Sequence, residues 1–420
     1  MLFKTRHSLC LLALFCLSST AVAETTFGGH AKFFYTYSDF PDDSVFTSIG
    51  NPYRESLGNL RLKAQYQSDR WDAQIHYVLN GLYSQDLSDC VIRVGLVGNG
   101  CAQLASDRSQ LFDLSSVISE VDDSLVFQRI DRLVLSYASE SLAVRFGRQA
   151  ISWGNGMAYN PLDLFNPFPP DAIDTEYKRG DDMLYLQGLF SNGSDVQALY
   201  IPRRNLITGE VASNQSAVAG KYHWLGSNYE LDILLAKNYG DAIIGAAYTG
   251  EWHENVVNAS ISLTQTDDGN TWSAAANYNY SAILADKNLT GFVELFYNGF
   301  GLSGDRHSVQ DVVVQTDLFK RLARGELFTI GRYYLATGIV LEITPLLNLN
   351  PVLFVNLGDR SAMLQFSGTY SLSQNFDLLA GFNLPTGADG TEFGGIEANP
   401  DHDELLAPGK TLFARLAWYF

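Results

Sequence analysis

Apolar and polar residues alternate one by one along most of this chain. Leu60, Leu62, Ala64 and Tyr66 alternate with Arg61, Lys63, Gln65 and Gln67. After Ser68-Asp69-Arg70, Trp71, Ala73, Ile75, Tyr77 and Leu79 alternate with Asp72, Gln74, His76 and Asn80. Successive side chains of a strand point to opposite faces, so a period of two predicts strands with one oily and one wet face. The pattern recurs over residues 229–235, 257–264, 272–281, 364–370 and 376–383. Runs of about ten alternating residues, broken by short polar turns, are the signature of a transmembrane β-hairpin. Soluble sandwiches use shorter strands, commonly of about five to six residues. The polar face is mostly uncharged, as a water-filled lumen would be.

Eighteen strands fit best, at roughly 27–38, 57–68, 71–80, 126–138, 142–153, 182–191, 195–201, 215–224, 228–237, 241–251, 256–265, 271–281, 289–298, 326–344, 349–357, 361–371, 376–384 and 411–420. Sixteen is the alternative, because the stretch 326–348 is interrupted by Pro345. With a start on the periplasmic side, the outward connections include 39–56, 81–125, 154–181, 202–214, 299–325 and 385–410, all long. The inward ones, such as 69–70, 139–141 and 225–227, are short. That asymmetry is the one outer-membrane barrels show. Ser109 to Asp122 and Val309 to Arg324 carry apolar residues at near-helical spacing, which predicts a short helix in each of those loops.

The two ends agree with this fold class, an all-β antiparallel transmembrane barrel. Lys4 and Arg6, the apolar run Leu9 to Leu17 and Ala21-Val22-Ala23 form a secretory signal peptide over residues 1–23, leaving 24–420 as the barrel. Beyond Ala23 no uncharged apolar run reaches the ~18 residues that a membrane helix needs. At the other end Leu412, Ala414, Leu416, Trp418 and Phe420 share one parity, with Phe413 as an apolar exception on the other. That segment resembles the closing strand of Gram-negative outer-membrane barrels, which typically finish on an aromatic. Phe420 is then the barrel-closing terminal residue.

Composition narrows the partners. Aromatics are 13% and charged residues only 18% of the chain, a mix that many strands with aromatic girdles would produce. The net charge is −18, and losing Lys4 and Arg6 takes it to −20. So acidic a chain is a poor partner for nucleic acid. A barrel of this kind implies outer-membrane lipid, lipopolysaccharide and the barrel assembly machinery as partners, and leaves a homo-oligomer open. Cys10 and Cys16 leave with the signal peptide; Cys90 and Cys101 remain and are expected to form a disulfide. No further cysteine completes a metal set. No cofactor is expected.

Function concentrates in Arg145 to Asp182. Pro161, Pro167, Pro169 and Pro170 stiffen this stretch and bar it from the sheet. Leu162, Leu164, Phe165 and Phe168 are too apolar for a loop in water and call for a surface to pack on. It is the third outward connection, and in order and length it resembles the loop that general porins fold into the barrel. Asp163, Asp171, Asp174 and Glu176 would then face basic wall residues, with Arg145 and Arg148 as the nearest. Opposed charges across a constriction set a field and a size limit. The two arginines differ in parity, so a bulge at Gly147 is expected to bring both inside. The competing reading is that these charges only pin the loop. Lumen-facing positions elsewhere carry both signs (Arg61, Lys63 and Arg415 against Asp72, Glu230, Glu294 and Asp377), so the acidic balance argues only weakly for cations.

The words GRQ-x-x-x-WG and NP-x-D-x-FNP within 145–182 are similar to those of poorly characterised, porin-like proteobacterial barrels. The resemblance implies a barrel with a surface or transport role and names no substrate. The chain has no GxxxxGK[ST], no HExxH and no GxSxG. Asp401-His402-Asp403-Glu404 reads as a solvated acidic loop or a weak cation site. The expectation is a passive channel for small hydrophilic solutes, not an enzyme, narrowed by residues 154–181. A closed surface barrel in envelope assembly, adhesion or polymer handling is the second reading, and a barrel hydrolase the third.

Overall fold

The computed structural model describes residues 23–85, 106–399 and 403–420. Most of the signal peptide, Cys90, Cys101 and His402 lie outside the described residues, and with them the expected disulfide.

The first strands are β1 (Glu24–Asp39), β2 (Tyr53–Gln67), β3 (Trp71–Ser84), β4 (Ser115–Val121), β5 (Ser124–Ala138), β6 (Leu142–Gln149) and β7 (Asp181–Leu189). Next come β8 (Asp195–Ile201), β9 (Ala217–Leu225), β10 (Tyr229–Asn238), β11 (Asp241–Trp252), β12 (Asn255–Thr266), β13 (Gly269–Leu284) and β14 (Lys287–Tyr297). Helices α1 (Val309–Val314) and α2 (Thr316–Arg324) precede β15 (Tyr333–Thr344), β16 (Leu347–Asn356), β17 (Ser361–Ser373) and β18 (Phe376–Thr386). A small hairpin, β19 (Ile396–Asn399) and β20 (Glu404–Leu406), leads into β21 (Lys410–Tyr419).

Each strand of the main sheet runs antiparallel to its neighbours, and β21 pairs with both β18 and β1. The ring is closed. Of the nineteen strands in this sheet, β4 pairs only with β5, so eighteen form the barrel. Closure leaves no edge, which is what lets a sheet survive in hydrocarbon. The seam is tight at its end: Gly29 donates to the Phe420 carbonyl at 2.8 Å, and a Cβ on Gly29 would meet the Phe420 ring at 2.8 Å.

The alternation sorts as expected. Phe33, Ile75, Leu135, Ile233, Ile244, Leu295 and Leu412 point away from the lumen and are exposed, whereas His30, Arg61, Asn258, Asn277, Glu294 and Gln365 are buried within. Aromatic pairs ring the end with the short turns: Trp71 with Tyr137, Trp224 with Tyr229, Trp252 with Tyr278, and Phe376 with Trp418. Trp272, Tyr297 and Tyr333 cluster toward the opposite, long-loop end. Two girdles around an apolar band match a bilayer.

Three expectations change. Residues 109–122 are not helical; Ser115–Val121 is strand β4. Strand β6 pairs with β5 only over residues 133–138, and β4 takes up the backbone of β5 that this leaves open, over 124–129. Its β-branched Val117, Ile118 and Val121 suit a strand. The strand placed at 142–153 ends at Gln149, where the chain turns inward. The strand placed at 326–344 starts only at Tyr333, because α2 ends on Gly325 in the left-handed conformation (φ 67°) and the chain after it stays irregular. Pro345 falls in the turn between β15 and β16, so the count stays eighteen. The second predicted helix is present, as α1 and α2. A capping box starts it: Ser308 accepts from the Asp311 amide while Asp311 accepts from that of Ser308.

Candidate pore constriction

The connection between β6 and β7, residues 150–180, crosses the lumen and is fastened at successive points around the wall. At its start Gly154 has a positive φ of 88°, and a Cβ there would lie 2.1 Å from Asn160 Oδ1. Only glycine permits this turn, and Asn160 locks it by donating to the Trp153 carbonyl at 2.9 Å. The Asn155 amide then donates to the Tyr248 carbonyl (2.8 Å) and Thr249 Oγ1 (3.0 Å) on β11. Glu294 of β14 accepts three consecutive backbone N–H groups: Met157 at 2.7 Å, Ala158 at 2.9 Å and Tyr159 at 2.7 Å. One carboxylate thereby satisfies three donors that a folded-in loop would otherwise bury unpaired.

Apolar contacts hold the middle. Tyr159 stacks on Phe296 at 4.8 Å and 12°, beside Tyr334. Leu162 and Phe165 enter a pocket made by Leu199, Ala219, Leu234 and Ile243 on β8 to β11. Leu162 is 1% exposed. Its seat depends on Gly245, where a Cβ would lie 2.4 Å from Leu162 Cδ2. Leu162→Ala should weaken loop docking by about 2–5 kcal/mol. The readout is faster amide exchange over 155–165 in a barrel whose heat-modifiable gel mobility is unchanged; unchanged exchange would show that Leu162 is not an anchor.

Electrostatic contacts hold the tail. Gln365 of β17 donates to the Asp171 carbonyl at 2.9 Å. Lys32 of β1 bridges Asp174 (2.6 Å) and Glu176 (2.5 Å), and Arg415 of β21 lies 3.3 Å from Asp174. Tyr419 donates to Glu176 at 3.1 Å. Burial would raise the pKa values of Asp174 and Glu176, but the Lys32 hydrogen bonds and charge hold both below the ordinary carboxylate values. Tyr177 follows, in a basket of cations: Arg61 lies 4.0 Å from its ring centre, Lys63 4.7 Å and Lys32 5.9 Å. The His30 and His76 rings also pack against Tyr177. Among the described residues Lys63 has no salt bridge.

The expected site residues divide. Asp174 and Glu176 face basic wall groups, but those groups are Lys32 and Arg415. Asp163 pairs with Lys178 of its own loop at 2.5 Å, and burial raises its pKa despite that partner. Burial also raises the pKa of Asp171, which has no salt bridge among the described residues. Arg145 lies over the Tyr185 ring at 4.2 Å. Arg148 is 1% exposed and committed to Asp182 and Asp107, with further bonds to the Phe112 and Ile130 carbonyls. Gly147 does have a positive φ of 118°, but the pairing of β6 with both neighbours runs past it without a register shift. The two arginines therefore do not form the wall opposite the loop acids. Lys32 and Tyr177 were the residues missed. Lys32 has the inward parity of β1, and that was the available signal; nothing local marks Tyr177.

Toward the long-loop end a cavity of about 1060 Å³ lies between this loop, the 322–330 segment and the wall, lined by residues such as Ile173, Phe328, Met363 and Asn383.

No protein-family model and no curated protein matches the chain. Solved structures do. OccK5 (OpdH) of Pseudomonas aeruginosa aligns with a TM-score of 0.53 at 8% identity, covering 94% of this chain and 98% of that one. OccAB2 of Acinetobacter baumannii gives 0.53 at 9% identity, over 94% and 98%. OpdK of P. aeruginosa, solved with vanillate, gives 0.51 at 8% identity, over 95% and 98%. This chain shares their barrel fold.

Proposed function

We propose that this protein is an outer-membrane channel for passive diffusion of small hydrophilic solutes, narrowed by the 150–180 loop. The carrying observation is that loop's path: it is fastened to strands around the lumen and ends with paired charges between loop and wall. A barrel of related fold, OpdK, is an outer membrane protein. Asp174, Glu176 and Tyr177 on the loop, with Lys32, Arg61, Lys63 and Arg415 on the wall, form the constriction in this reading. Arg132 adds a cation beside Asp131. The narrow zone then carries more basic than acidic groups and favours anions, against the weak expectation for cations drawn from overall charge. Asp163, paired with Lys178, and the Asp171 carbonyl, bound by Gln365, hold the loop in place, whereas Arg145 and Arg148 engage Tyr185 and Asp182 of β7. The mature chain starts at Glu24 after removal of residues 1–23, meets lipid and lipopolysaccharide along its apolar band, and reaches the membrane through the barrel assembly machinery.

Purified folded protein in planar lipid bilayers should give discrete conductance steps, and liposomes containing it should swell in small sugars and amino acids. Silent bilayers and silent liposomes from demonstrably folded protein would overturn the channel and leave the closed surface barrel.

A further inference from the structure

A second loop segment, residues 387–397, also folds against the lumen side of the barrel, and it is held by acids. Glu392 accepts from Tyr334 Oη of β15, from Asn356 Nδ2 of β16 at 2.9 Å and from the Ile330 amide at 3.1 Å. Its own amide donates to Asp359 Oδ2 at 2.8 Å, and Asn356 Nδ2 also reaches that oxygen at 3.0 Å. The next residue, Phe393, donates its amide to Ser361 Oγ at 3.2 Å and packs against the cluster that Tyr159 of the 150–180 loop forms with Phe296, Tyr334 and Phe354. The titratable groups facing Glu392 are thus Tyr334, Asp359 and Tyr159, with Glu294 and Asp171 on the far side of Tyr159. Among the described residues neither Glu392 nor Asp359 has a salt bridge. Arg306 sits against Gly390, but its guanidinium is turned to Glu397 at 2.9 Å.

Two enclosed carboxyls that share one amide, with no cation between them, cannot both be ionised cheaply. We propose that Glu392 is a protonation latch: its neutral carboxyl holds residues 387–397 against β15 to β17 and against the 150–180 loop, and its ionisation releases that segment from the barrel mouth. Burial, with the Asp359 charge adding to it, pushes the Glu392 pKa from 4.5 up to about 7, against the hydrogen bonds it accepts. The sign follows. Below 4.5 the carboxyl is neutral in both docked and released loops and docking is strongest. Between 4.5 and 7 only the released loop ionises, so docking weakens as pH rises, by on the order of a hundredfold in the equilibrium.

Amide exchange in detergent micelles tests this without reference to conductance, so it stands or falls separately from the channel reading. From pH 5 to pH 8, after correction for intrinsic exchange, residues 389–397 of the wild type should lose about a hundredfold in protection while β15 to β17 keep theirs. Glu392→Gln, checked for folding by heat-modifiable mobility, should stay protected throughout. A flat wild-type profile overturns the latch even if the variant does not fold. So does a Glu392→Gln profile that falls like the wild type's.

Discussion

Replacing Glu294 with alanine is expected to free the 150–180 loop and widen the channel. Three backbone donors, Met157, Ala158 and Tyr159, lose their acceptor at once. Each buried donor left unpaired costs about 1–3 kcal/mol, and lumen water recovers part of that, so docking should weaken by roughly 3 kcal/mol. That is about a hundredfold in the docked-to-released ratio. Asn277, which donates to Glu294 at 3.0 Å, loses its partner as well. In planar bilayers the variant should show a larger mean conductance and frequent transitions between levels. Glu294→Gln, which keeps one acceptor oxygen, should fall in between. A quiet Glu294→Ala channel of wild-type conductance would mean that the loop does not set the bore.

The second large effect concerns charge. Asp174→Lys with Glu176→Lys places two cations against Lys32 and Arg415, which now hold the loop tail at salt-bridge distance. The tail is repelled and the narrow zone becomes uniformly basic. Charges about 4 Å apart interact by roughly 1 kcal/mol in water and about 4 kcal/mol near a protein surface, so the anion-to-cation permeability ratio should rise about tenfold. Reversal potentials across a salt gradient measure it, and the shift should shrink at high salt. Adding Lys32→Glu should restore part of the original ratio. An unchanged reversal potential would remove the tail from the constriction.

The barrel was legible because its cause is local. A period of two sets which face each strand turns to lipid, and strands such as Trp71 to Ser84 and Asn255 to Thr266 keep that period over much of their length. Where the period was ambiguous, the reading slipped. Residues 109–122 have helical spacing of apolar groups, yet the open edge of β5 captured 115–121 as a strand. That edge exists only because β6 is short, a fact carried by another part of the chain.

The prolines and apolar residues of 154–170 alone announced a stiff loop in need of a surface. Which surface they found was not announced. Leu162 needed the gap at Gly245, and three loop amides needed Glu294, more than a hundred residues away in sequence.

The sequence by itself therefore determined the alternating sheet and the stiff, apolar loop that needed a surface, since alternation and turn chemistry act between near neighbours; the closed ring decided for eighteen strands over sixteen and placed that loop in the lumen. Only the closed barrel decided the partners of each charge. Arg148, nearest along the chain, was claimed by Asp107 and Asp182, while Lys32, from the first strand, reached Asp174 and Glu176. Curling a sheet into a ring brings its two ends together, and that proximity has no counterpart in residue spacing.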